Sequence, residues 1–66
     1  MNKAETLYAL ARSLAPEVVA GRMDQQTAHE VITRLSSELY KDATKAPVIE
    51  ARATARRIIR ESLRRR

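Results

Sequence analysis

At 66 residues, with no cysteine and a single histidine, the chain excludes a disulfide framework and a structural zinc site, which needs four nitrogen or sulfur ligands. Hydrophobic residues make up 44% of it, too many for a disordered tail, and thirteen basic against eight acidic residues give a formal charge of +5. That charge is localised: between Glu50 and Arg66, seven arginines (Arg52, Arg56, Arg57, Arg60, Arg64, Arg65 and Arg66) meet two acids, Glu50 and Glu61, so residues 1–49 are neutral.

The first predicted helix covers about residues 2–20. Asn2 followed by Glu5 resembles a capping box, with Asn in place of Ser or Thr. Leu7, Leu10, Leu14 and Val18 recur at intervals of three and four and define one buried face, widened by Ala4, Tyr8, Ala11, Ala15 and Val19. Pro16 lacks an N–H and clashes with the turn before it, which predicts a kink or a fresh turn there. Gly21 is the expected C-terminal cap.

A second helix is expected over 24–41, with Asp24 as N-cap and Ala28, Val31, Ile32, Leu35 and Leu39 as its buried stripe. One flank carries Glu30, Arg34, Glu38 and Lys41, where Glu30–Arg34 and Arg34–Glu38 are spaced for ion pairs. The other carries His29, Thr33, Ser36 and Tyr40, with no formal charge at neutral pH. Charge depletion beside an apolar stripe marks a candidate protein interface, with Tyr40 as its best anchor.

The third helix is expected over 47–64, with Pro47 in its first turn and Val48, Ala51, Ala55, Ile58, Ile59 and Leu63 facing inward. Arg52, Arg56, Arg60 and Arg64 recur every fourth residue, drifting only ~40° per step, and so form a ridge beside that stripe. The stretch Arg52–Arg60 is similar to the second helix of helix-turn-helix regulators, and the likeness covers these residues alone. The connector before it, Asp42–Ala46, is looser than the 3–4-residue turn of that motif.

Together these elements predict an all-α, single small three-helix domain. A core at this length supplies only ~3–5 kcal/mol without a staple, so a homodimeric helical bundle is expected. The longest apolar run, Leu7–Ala11, is far short of the ~20 residues a membrane span needs, and no signal peptide is evident, so a cytoplasmic location is expected. Catalysis is not expected. His29 has no carboxylate placed to orient it, and one glycine cannot build a phosphate loop. Neither a cofactor nor a small-molecule substrate is anticipated.

The arginine ridge points to a binding protein. Guanidinium forks match phosphate oxygens, and neutralising phosphates releases counterions. Arg52, Arg56, Arg57, Arg60, Arg64 and Arg65 are the candidate contacts to duplex nucleic acid. Unpaired bases fit less well, because two tyrosines and no Phe or Trp supply few stacking platforms. The alternative is an adaptor or inhibitor of the phage or plasmid accessory type. It would dock on an acidic protein surface through His29, Thr33, Ser36 and Tyr40 and the wide face of the first helix, while the arginines steer its approach.

Overall fold

The computed structural model describes residues 2–66 as three helices: α1 (Lys3–Val19), α2 (Gln25–Leu39) and α3 (Ala46–Arg64). The described residues contain no strand. The body measures 34 × 19 × 17 Å, and the 19 residues of α3 rise ~28 Å. No helix among the described residues is long and apolar enough to cross a membrane.

Each helix begins and ends for a local reason. At the start of α1, the Asn2 carboxamide oxygen accepts from the Glu5 N–H at 2.8 Å, and its Nδ2 donates to Glu5 Oε1 at 3.0 Å. The reciprocal bond of this cap therefore runs side chain to side chain. The helix continues through Pro16 to Val19. Pro16 has no N–H to give the Arg12 carbonyl, but Arg12 lies on the exposed side, where water can reach it.

A Schellman motif then ends α1. Gly21 has φ of +79°, its N–H donates to the Val18 carbonyl at 3.1 Å, and the Arg22 N–H reaches back to Glu17 at 2.9 Å. Where that motif usually carries an apolar contact, an Arg22–Glu17 ion pair sits instead.

Asp24 occupies the N-cap position of α2 with extended backbone, but its side chain makes no capping bond, contrary to the role read from its chemistry. Past α2, Asp42 Oδ1 accepts from the Thr44 N–H and hydroxyl at 3.0 and 2.6 Å. These bonds turn the connector and hold the Asp42 carboxyl below its usual range. Helix α3 starts at Ala46, one residue before the expected boundary, with Pro47 in its first turn.

The core is built largely of alanine. Ala11 and Ala15 from α1, Ala28 from α2, and Ala51 and Ala55 from α3 are buried together with Leu7, Val18, Ile32 and Ile59. In α1 the leucines expected at the centre, Leu10 and Leu14, are half-buried and flank the alanine row. Small side chains let the α3 backbone approach closely, and the pairing of α1 with α3 is the most extensive in the molecule.

In α2 the inward face is turned towards Ser36. Ala28, Ile32 and Ser36 are the buried residues, while Val31 and Leu39 are partly exposed. Ser36 tolerates burial because its hydroxyl donates to the Thr33 carbonyl at 2.8 Å within its own helix.

Candidate functional site

The seven arginines of the last seventeen residues divide into two structural groups. On α3 the buried stripe runs through Val48, Ala51, Ala55 and Ile59. At 100° per residue, Arg57, Arg60 and Arg64 fall within an arc of ~60° nearly opposite that stripe, and all three are exposed. Arg65 and Arg66 extend the exposed charge past the helix end. The acids do little to neutralise it. Among the described residues the only ion pair on α3 is Arg57 Nε with Glu61 Oε1 at 3.9 Å, between side chains 62% and 48% exposed, a geometry of small energetic consequence.

Arg52 and Arg56 behave differently from the exposed arginines. Both are half-buried and bonded inside the fold. Arg52 Nη2 donates to the Ala43 carbonyl at 3.1 Å, tying α3 to the connector, and Arg56 Nη2 donates to Thr33 Oγ1 at 2.7 Å, tying α3 to α2. Only the Arg56 bond joins the α2–α3 pair directly, and both guanidiniums are only partly available to a partner.

The uncharged stripe of α2 is not one continuous surface. Ser36 is fully buried, and Thr33 is engaged on both sides, accepting from Arg56 and donating to the His29 carbonyl at 3.0 Å. Tyr40 lies at the far end, with Lys3 Nζ 5.6 Å from its ring centroid, a cation–π contact that joins α2 to the start of α1. His29 sits ~16 Å away along the helix axis. The charged flank also departs from expectation: neither Glu30–Arg34 nor Arg34–Glu38 forms an ion pair, and the pairs among the described residues are Arg22–Glu17 and Arg57–Glu61.

Helices α2 and α3 run antiparallel, so the Arg56 and Arg60 level of α3 meets the His29 and Arg34 level of α2. Between them lies an open cleft of about 590 Å³ lined by Gln26, His29, Glu30, Thr33, Arg34, Arg56 and Arg60. Burial, then the positive charges of Arg56 and Arg60, hold the His29 imidazole below its ordinary pKa. The arginines and the uncharged stripe belong to different helices, and the fold brings Arg56 and Arg60 together with His29 and Thr33 in this cleft. The chain matches no family model, no curated protein and no solved structure, so a functional reading rests on these residues.

Proposed function

We propose that this chain is a small non-enzymatic binding module that docks on the phosphate backbone of duplex nucleic acid through the outer face of α3. The observation that carries the reading is the Arg57, Arg60 and Arg64 face. Its three exposed cations span ~10 Å along one rigid helix opposite the buried stripe, with Arg65 and Arg66 beyond them. Exposed Glu50 and Glu61 lie beside Arg57, but the face keeps a surplus of positive charge that Arg65 and Arg66 extend. Fixing cations on a packed helix removes much of the ordering cost that a flexible basic tail meets on binding.

A dimer is part of the proposal. Leu7, Ile32 and Ile59 are the only large apolar side chains fully buried among the described residues, and a second subunit supplies the burial this core lacks. Sedimentation at two concentrations measures it. The adaptor reading is not carried forward as a second proposal, because Ser36 and Thr33, on which it relied, are used inside the fold.

Fluorescence anisotropy with a labelled duplex, at about 50 and about 200 mM salt, tests the reading. Three to five neutralised phosphates predict a log–log salt slope of about −2.7 to −4.5, a loss of roughly 40- to 500-fold over that range. Arg64→Ala should make the slope shallower by about 0.9. Absence of binding at the lower salt refutes the proposal.

A further inference from the structure

We propose that the cleft between α2 and α3 is a phosphate seat, in which Arg56 and Arg60 hold a phosphate oxyanion against the His29 imidazole. It deepens the backbone-binding reading and rests on it only for one of the two sources from which the phosphate can come.

Three observations converge on this cleft. Its walls carry three arginines (Arg34, Arg56 and Arg60) against one carboxylate, Glu30, so it is a concave site of positive charge. Among the described residues, two buried side-chain polar atoms have no hydrogen-bond partner, His29 Nε2 and Arg56 Nε, and both belong to residues lining this cleft. Buried polar atoms are paired in the great majority of cases, so two such orphans on one cleft mark a place that wants an acceptor. Finally, the bond from Arg56 Nη2 to Thr33 fixes the guanidinium and leaves its Nε–H without an acceptor. Both orphaned atoms are buried in the cleft wall, so they reach a phosphate oxygen only as the half-buried His29 and Arg56 side chains turn outward, and the exposed Arg60 meets the anion at the open side.

The seat also couples phosphate to a proton. Besides Arg56 and Arg60 from α3, the charged groups facing the cleft are Glu30 and Arg34 from α2, and α1 contributes no lining residue. In the empty cleft, burial and the two α3 cations disfavour the imidazolium. A bound phosphate anion offsets those cations and adds an acceptor, so the imidazole pKa is higher in the complex. Proton uptake then accompanies binding, and affinity strengthens as pH falls through the raised value.

His29 is the only histidine, so its imidazole resonances report the seat without assignment ambiguity. The test is an NMR pH titration of the full chain in chloride, sulfate, inorganic phosphate or a short duplex DNA, at equal ionic strength. Sulfate keeps its charge across the range and separates the titration of His29 from that of phosphate. A rise of the His29 pKa by about half a unit or more over chloride is expected, corresponding to about threefold tighter binding of the anion to the protonated form. The rise should shrink in Arg60→Gln, whose exposed position leaves folding intact, and in Arg56→Lys, which keeps the charge but loses the fork.

A rise with inorganic phosphate and with duplex supports a seat open to either source. A rise with inorganic phosphate alone supports a seat for free phosphate or a phosphomonoester, and a rise with duplex alone supports a backbone seat. No rise in any arm overturns the seat, and if duplex still binds by anisotropy the outer-face reading stands without it. An undiminished rise in both variants overturns the seat as well, since diffuse screening then accounts for it. Inorganic phosphate raising the pKa while duplex fails to bind keeps the seat and removes the nucleic-acid reading.

Discussion

The bond between Arg56 and Thr33 is the polar pin between α2 and α3, and its contribution is measurable by a double-mutant cycle. Thr33→Val keeps a branched side chain of similar helix propensity and removes the hydroxyl that accepts from Arg56 at 2.7 Å. Hydrogen bonds to charged groups contribute ~1.5–3 kcal/mol when buried. Here both side chains are only half-buried, so a cost of about 1–2 kcal/mol is expected for the single change. Thr33→Val also removes the bond to the His29 carbonyl, but that loss occurs whether or not Arg56 is present and cancels in the cycle. Arg56→Met retains an apolar stem over the same surface. Urea denaturation of the wild type, both single variants and the double variant should give a coupling of about 1 kcal/mol. Additivity within about 0.3 kcal/mol would place Arg56 among the solvated arginines and remove the pin.

Three further outcomes follow from the same geometry. Gly21→Ala should lower stability by ~1 kcal/mol, because φ of +79° strains any L-residue, while the added Cβ meets nothing within 4 Å. In a domain of this size that is a fall of about 4–8 °C in a thermal melt, and an unchanged Tm contradicts the motif. Ala55→Leu adds bulk at a fully buried position where α3 packs on the core and should cost ~1–3 kcal/mol, readable as loss of helical CD signal at lower urea. The lowered pKa of His29 has a defined sign. The unfolded chain binds the proton first, so stability falls as pH drops below the unfolded value of ~6.5, and the loss is complete below the folded value. Melts between pH 7.5 and pH 5 should show that decline in the wild type and a smaller one in His29→Gln, with the Asp42 carboxylate acting only at lower pH.

The three helices were legible in the sequence because their signals are local. Asn2 acts through its side chain on the first turn, Gly21 and Pro47 through their backbone geometry, and each boundary falls within two residues of its expected place. Asp24 shows the limit of that logic: the residue type favoured the cap position, yet no side-chain bond formed. The lateral relations of the helices depend on how α2 turns against α3, which a single helix pattern does not encode. Ser36 reads as part of an interface stripe because serine is scored as polar, although the fold buries it and its own helix satisfies its hydroxyl. The division of the arginines left a fainter trace. On the α3 wheel Arg56 lies ~60° from Ile59, whereas Arg57 lies ~160° away, so angular distance from the apolar stripe separates a tethered arginine from an exposed one.

That the first and last helices make the broadest contact bears on how the chain folds. The residues joining α1 to α3 include all of α2, so the largest gain in burial comes only after residues 20–45 have been looped closed. Closing such a segment carries an entropic cost that is met before the α1–α3 contacts compensate, and folding rates fall as contacts become less local. For a bundle this short, the kinetic barrier is therefore set by the meeting of the two ends. Substitutions at Ala11, Ala15, Ala51 or Ala55 should accordingly slow refolding, while changes confined to the solvent side of α2 should mainly alter unfolding.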